Sequence, residues 1–360
     1  MEDLDRLAEQ SGVPLADVTM IAVNTYGLRT DTGDGRARCT IVPDSAPDRR
    51  FRSIVATGRP DSPFTLENGR LCYNEQPVAR IANVEHDDAR LGYFRDRQRV
   101  ITLNTNARSH CTGCVFCPNT GADASDPRVD TQSDELLDWL RLLCAREDLA
   151  DLATVDEVNL STSCFGEEDA AIEHLRFLQS DLAKFGFSGR LGILSSVIRS
   201  TRGFNTIHET VGPFALFLTL ECVTRRNLWL KESKASLSAD EAITTLARAR
   251  SAGCDAGVNL VIGLDPIDEA CEWLDRAAPY LTDFPNLQVF QVHSRYMGSA
   301  AVTGDEPVAW MLSARSKLEQ VLEPHRERLR PEHWQNYRPL WFTTFCGEEL
   351  WSPGTAMSLP

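Results

Sequence analysis

From about residue 99 the chain alternates short apolar runs with longer amphipathic ones, and this alternation constrains its fold more than any other feature. The short runs are Val100-Ile101-Thr102-Leu103-Asn104, Glu157-Val158-Asn159-Leu160-Ser161, Leu191-Gly192-Ile193-Leu194-Ser195, Phe214 through Leu220, Gly257 through Ile262 and Leu287 through Val292. Between them, residues 135–146, 167–185, 239–252 and 267–281 carry apolar side chains at three- and four-residue steps, the period of a helix with one buried face. Strands separated by helices have no hairpin to pair through. They pair in parallel by crossover, so the pattern predicts an α/β fold with a parallel sheet and six strands.

Residues 1–98 have a different texture and predict a small β-rich N-terminal region, an accessory piece acting as lid, docking element or scaffold. After a short helical start, Met20-Ile21-Ala22-Val23-Asn24 and Ala37-Arg38-Cys39-Thr40-Ile41-Val42 are expected to form a strand pair. Residues 64–67 and 70–73 flank Asn68-Gly69, a dipeptide that tolerates the positive φ angles of a tight hairpin, and residues 43–63 are expected as surface loop. At the other end, residues 305–360 open with a helical stretch over 308–328. They close in a tail holding Trp334, Trp341, Phe342, Phe345, Cys346 and Trp351, an aromatic density that suits core or interface and predicts a tail capping the open sheet.

The chemistry is concentrated in Ser109-His110-Cys111-Thr112-Gly113-Cys114-Val115-Phe116-Cys117, directly after the first strand run. Three thiols at two-residue gaps converge on one soft metal centre, either zinc or an iron–sulfur cluster. A structural zinc site is normally closed by four side chains, and no second Cys or Cys/His pair at zinc-finger spacing follows. A cubane held by three cysteines leaves one iron open.

The open iron, the Cys-x-Phe-Cys ending and the position after a first strand resemble the radical S-adenosylmethionine superfamily. The family's usual spacing is Cys-x3-Cys-x2-Cys. Here Cys111, Cys114 and Cys117 give two gaps of two, with His110 where the first cysteine would fall. Thiolate being the better donor, Cys111 is the expected third ligand, with His110 as the alternative. The resemblance implies a [4Fe–4S] cluster, S-adenosyl-L-methionine on the unique iron, and a partial (β/α)6 TIM-like barrel over residues 99–304, with chemistry at the strand C-termini.

On that template the cofactor contacts follow from position. Phe116 would pack near the adenine. The stretch Ser163-Cys164-Phe165-Gly166-Glu167 occupies the place of the family's Gly-Gly-Glu, with Ser163 and Glu167 meeting the methionine ammonium, although Glu167 equally suits a helix N-terminus. Glu221, at the end of the fourth strand, suits the ribose diol. Arg226, in preference to Arg225, suits the methionine carboxylate through a two-pronged hydrogen bond, the alternative being solvated charge. Asn259 is a further cofactor-binding candidate, and the Gly263 turn lets backbone approach the adenine, the alternative being an ordinary strand-to-helix turn. Gln291, His293, Arg295, Tyr296 and Arg199 are substrate-side candidates, and Cys164, Cys222 and Cys346 are candidate hydrogen-donating thiols, each also a plausible core residue.

The family's activity is reductive cleavage of S-adenosylmethionine to a 5′-deoxyadenosyl radical that removes hydrogen from a substrate. With no room for a cobalamin domain before the barrel and one cysteine in the tail, the expectation is a single-cluster enzyme of specialised biosynthesis acting on a small molecule by rearrangement, epimerisation, cyclisation, decarboxylation or dehydrogenation. An external donor such as flavodoxin or ferredoxin is implied. The alternatives are a peptide-modifying member of the family, or a non-catalytic zinc or iron–sulfur binding protein. Fifty-two acidic against 37 basic residues, a net charge of −15, argue against nucleic acid as the main partner. The acidic start, without an apolar targeting core, and the lack of a bilayer-length apolar run predict a cytoplasmic protein with no membrane partner.

Overall fold

The computed structural model describes residues 2–30, 35–86, 93–95, 99–103, 105, 113–117, 133–146, 148–161, 165–292, 295–330 and 339–341. Two helices come first, α1 (Leu4–Ser11) and α2 (Leu15–Tyr26). The Asp3 carboxylate caps α1 by accepting from the Arg6 N–H at 3.1 Å. The run Met20 to Asn24, expected as strand, is the middle of α2. Its buried positions continue unbroken from Ala16 to Asn24, so there is no stripe to betray the helix, and a short run buried all round has no distinguishing period.

An antiparallel sheet follows, made of β1 (Gly35–Pro43), β2 (Phe51–Thr57), β3 (Phe64–Glu67), β4 (Arg70–Tyr73) and β5 (Gln76–His86), in the order β2-β1-β5-β4-β3. The β3–β4 hairpin turns on Asn68 and Gly69, at φ +50° and +77°, as their sequence predicts. The expected loop over 43–63 instead contains β2, and β1 pairs with β2 and β5, not with residues 20–24.

The second sheet holds β6 (Tyr93–Arg95), β7 (Val100–Leu103), β8 (Glu157–Leu160), β9 (Arg190–Ser195), β10 (Phe214–Glu221), β11 (Asp255–Ile262) and β12 (Asn286–Val289), in strict chain order. β6 is antiparallel to β7, so a domain edge at residue 98 would cut through this sheet. The remaining six strands are parallel. Among the intervening helices are α3 (Ser133–Arg146), α4 (Glu168–Ala183), α5 (Thr201–Thr210), α6 (Arg226–Trp229), α7 (Glu232–Ala235), α8 (Ala239–Ser251) and α9 (Ile267–Ala277), and α10 (Pro307–Leu322) follows β12. An order that never reverses is that of a singly wound barrel, left open here. Beyond the last strand, Gln288 bridges to Pro339 of the tail.

Registered neighbours in a parallel sheet share a face, and the two faces differ. Ile101, Val158, Leu191, Ile193, Leu216, Leu218, Val258, Leu260 and Leu287 belong to one large core cluster with the helices. The opposite face carries Thr102 and Asn159 in register with Gly192, then Ala215, Phe217, Gly257, Thr219, Asn259 and Gln288. Small and polar residues there mark the interior of the half-barrel. A Cβ at residue 257 would lie 2.4 Å from the Phe217 ring, so the glycine makes room for that aromatic floor.

At the strand N-termini, Arg190 closes the barrel floor. Its Nε donates to Glu157 at 3.0 Å and its Nη atoms to Asp255 at 2.8 Å and Asp283 at 2.9 Å, and Arg330 adds a further bond to Asp283 at 2.9 Å. The N-terminal region is packed into this body, not appended to it. Its α2 and antiparallel strands share the large core cluster, Arg315 of α10 donates to Asp17 at 2.7 Å and to the Leu340 carbonyl at 2.8 Å, and the Glu2 carboxylate accepts from the Ala309 N–H at the start of α10 at 2.7 Å.

Candidate active site

The site grows from the end of β10, one of the two middle parallel strands. Between Thr219 and Glu221 its register with β11 slips by one residue, a bulge that leaves Leu220 unpaired. Cys222 N–H then bonds the Leu220 carbonyl at 2.9 Å, closing a three-residue turn with Glu221 at its centre and φ +69°. A non-glycine residue in that conformation is strained, and strain of this kind collects at functional positions. The turn aims the Glu221 carboxylate at Lys234 Nζ, 2.6 Å away, and at Asn259 Nδ2, 2.9 Å away. Asn259 passes the chain on, its Oδ1 accepting from Gln288 Nε2 at 3.0 Å.

Arg226, buried at 6% exposure, holds the loop beyond. Its Nη1 donates to the Leu220 and Cys222 carbonyls and its Nη2 to the Lys234 carbonyl at 2.6 Å. The guanidinium expected from sequence to meet a carboxylate makes these three backbone bonds and leaves its Nε without an acceptor among the described residues. Arg225 stacks on the Trp229 ring at 4.8 Å and reaches the Ala300 carbonyl at 3.1 Å. Asp265 secures the same loop, accepting from the Thr224 N–H at 3.0 Å and the Thr224 hydroxyl at 2.7 Å.

Onto this loop the cysteine segment docks. Val115 N–H donates to the Trp229 carbonyl at 2.9 Å, and Lys231 N–H to Cys114 Sγ at 3.5 Å. Cys117 N–H bonds the Cys114 carbonyl at 3.1 Å. Cys114, Cys222, Leu230, Val261, Leu264, Phe290 and Met297 form an apolar cluster of their own, with Phe116, Cys117 and Trp229 against it. Burial pushes the Cys114 thiol up, and the Lys234 ammonium and the Lys231 N–H offset only part of that rise. The Cys222 thiol is pushed up to about 12, chiefly by burial and then by Asp265, and stays protonated in the core.

Of the cysteine segment, Cys114 and Cys117 are described and pack in the same apolar cluster. Cys111 and His110 lie outside the described residues, as do Ser163, Cys164, His293 and Cys346. Glu167 is exposed at the N-cap of α4 and makes no side-chain cap bond; its neighbour Glu168 instead accepts from the Arg199 and Ser200 N–H groups at 2.7 and 2.8 Å. Gly263 stands at φ +111°, where an L side chain is strained, and its carbonyl is taken by the Val302 N–H. Gln291 turns from the mouth to bond the Ile54 carbonyl at 2.8 Å. Arg199 donates from its Nη2 to the Ser233 carbonyl at 3.2 Å, and the side chains of Arg295 and Tyr296 are not described.

A thiolate-bound metal cluster fits what is present. Cys114 and Cys117 supply soft donors in an apolar wall, and Trp229 Nε1 and Arg226 Nε are buried donors with no acceptor among the described residues. No group of three or more ligating side chains assembles among the described residues. No helix among them is long and apolar enough to cross a membrane.

No protein-family profile and no curated protein matches the sequence. Solved structures align with parts of it. The FeFe-hydrogenase maturase HydG from Carboxydothermus hydrogenoformans aligns over 64% of this chain and 53% of its own, with TM-score 0.44 and 14% identity. A second HydG structure aligns over 61% and 50%, with TM-score 0.42 and 13% identity. The radical S-adenosylmethionine methyltransferase TsrM from Kitasatospora setae, solved with cobalamin and a [4Fe–4S] cluster bound, aligns over 54% and 37%, with TM-score 0.37 and 12% identity. The chain spans about half the length of the HydG structures.

Sequence reasoning passed over Lys234 and Lys231 as members of the site, and Gln288 as the end of its polar chain. The available signal was the alternation within the strands. Asn159, Thr219, Asn259 and Gln288 stand at every-other positions among aliphatic neighbours, the period-two mark of a strand whose second face is not core.

Proposed function

We propose that this chain is a radical S-adenosylmethionine enzyme acting on a small polar molecule. The observation that carries the reading is the docking of the Cys114–Cys117 segment, through the Val115 N–H and the Cys114 sulfur, onto the loop leaving one of the two middle strands of an open, singly wound parallel sheet. Held there, a [4Fe–4S] cluster and S-adenosylmethionine would supply, on one electron from an external donor, cleavage to methionine and a 5′-deoxyadenosyl radical able to take a hydrogen atom from the substrate.

The chain's own residues have separable tasks. Cys111, Cys114 and Cys117 would hold three irons, and Phe116 would lie against the adenine. Lys231 is a better candidate than Arg226 for an anionic group of the cofactor. It is half-buried beside Gly113 and has no carboxylate partner among the described residues. Glu221 and Asn259 support the cofactor side through their shared hydrogen bond. The apolar cluster excludes water from the metal loop. On the interior face Thr102 Oγ1 and both side-chain polar atoms of Asn286 are buried without a partner among the described residues, which suits a ligand bearing hydrogen-bonding groups. Cys164, Cys346 and His293 keep their proposed substrate-side roles, and flavodoxin or ferredoxin the role of donor.

The test is anaerobic reconstitution with iron and sulfide, reduction in the presence of S-adenosylmethionine, and assay of 5′-deoxyadenosine beside a Cys114→Ala control. Cluster-dependent 5′-deoxyadenosine is the expected result. A zinc-loaded protein, or a cluster that never cleaves S-adenosylmethionine, would overturn the reading in favour of a binding protein.

A further inference from the structure

The pair formed by Glu221 and Lys234 calls for an account beyond stability. Their side chains are 10% and 9% exposed, and a buried ion pair is weak support for a fold because desolvation offsets most of its attraction. Glu221 moreover sits in a strained turn, at φ +69°. The pair lies beside the metal loop. Lys234 is three residues beyond Lys231, whose N–H meets Cys114 Sγ at 3.5 Å, and Arg226 ties the Lys234 carbonyl to the end of β10 at 2.6 Å. The ammonium is thus fixed at both ends, by its carboxylate partner and by its own backbone.

We infer that the Lys234–Glu221 pair, with the Lys231 N–H, sets the reduction potential of the cluster on the cysteine loop. The inference rests on the function proposed above and assigns these residues a positioning and tuning role. Charge and hydrogen bonds around cluster sulfurs are main determinants of cluster potential. One-electron reduction of the cluster, by an external one-electron donor, adds one negative charge beside Cys114. A neighbouring ammonium stabilises that added charge and raises the potential; a carboxylate lowers it. The Lys234 N–H bonds the Lys231 carbonyl at 2.9 Å, so the ion pair stands one helical turn from the residue whose N–H meets the Cys114 sulfur, close enough for each charge to act on the loop in its own direction.

The experiment is an EPR-monitored titration of the reconstituted full chain with dithionite as electron donor, comparing wild type, Lys234→Met, Glu221→Gln and the double variant. Lys234→Met is expected to lower the midpoint potential, Glu221→Gln to raise it, and the double variant to fall between. A merely structural role would not produce shifts of opposite sign. Should Lys234→Met fail to hold iron, Glu221→Gln, which keeps its shape and its bond to Asn259, decides the matter alone by its upward shift. A loaded wild-type cluster with unshifted or same-sign variants overturns this inference and leaves the enzyme assignment standing. A wild type that takes up no [4Fe–4S] cluster overturns both.

Discussion

Gly113 faces Lys231 so closely that a Cβ at residue 113 would lie 3.1 Å from the Lys231 Cβ. The glycine also stands at φ +96°, where an L side chain is strained by about 1–3 kcal/mol. Gly113→Ala is therefore expected to push the cysteine segment off the loop that supplies the Lys231 N–H. Iron and sulfide analysis after reconstitution should show reduced loading, while the melting temperature of the apoprotein changes little. Full loading would show that the segment docks without this contact.

Arg226→Lys tests the clamp on the β10 loop. One ammonium cannot replace a fork that serves three carbonyls, and each buried carbonyl left without a donor costs about 1–3 kcal/mol. Lower stability to urea is expected, together with weaker cluster retention. Unchanged stability would mean that these carbonyls find other donors.

His174 on α4 gives a pH dependence with a definite sign. Its ring accepts or donates at 2.8 Å to the Thr105 hydroxyl, just before the cysteine segment, and packs 5.2 Å from the Phe165 ring. Burial lowers its pKa from 6.5 to about 4. The unfolded chain binds that proton more readily, so the histidine's contribution is fully present above about pH 6.5 and is lost as pH falls toward 4. His174→Phe should flatten the melting temperature across this window. A wild-type curve that is already flat would show that the ring is not buried neutral.

The floor of the barrel should fail in acid at lower pH. Burial alone would raise the Asp255 carboxyl, but hydrogen bonds from Arg330 and Arg190 outweigh it and hold the group below its ordinary value of 3.8. Stability from this carboxylate is present above that value and is lost as pH falls through the lower, folded one. Asp255→Asn should reduce the acid slope below about pH 4 in circular dichroism titrations. Arg190→Met, by contrast, removes the cation bonded to Glu157, Asp255 and Asp283, and should cost about 3–5 kcal/mol near neutral pH by denaturant unfolding.

Much of the fold was legible because the six parallel strands carry their own markers, apolar runs bounded by amphipathic helices. The hairpin at Asn68-Gly69 was legible because backbone sterics alone prescribe it. Misreading Met20 to Asn24 as strand has a physical origin. Helix α2 is buried between the antiparallel strands and α10, and burial on every side erases the 3.6-residue period. In the candidate site, the closeness of Cys114 and Cys117 was legible, since spacing along one loop is a local property.

What sequence alone determined is therefore the order of elements and the parallel pairing. Each follows from neighbours in the chain. Only the tertiary structure decided what the charged and polar residues around the cysteine loop touch: Glu221 meets Lys234 and Asn259, Arg226 is spent on carbonyls, and Gln291 reaches Ile54 from 237 positions away. The reason is that a buried polar group must find a partner wherever the fold brings one. That partner is set by a bulge, a turn or a packed helix, none of which is written beside the residue itself.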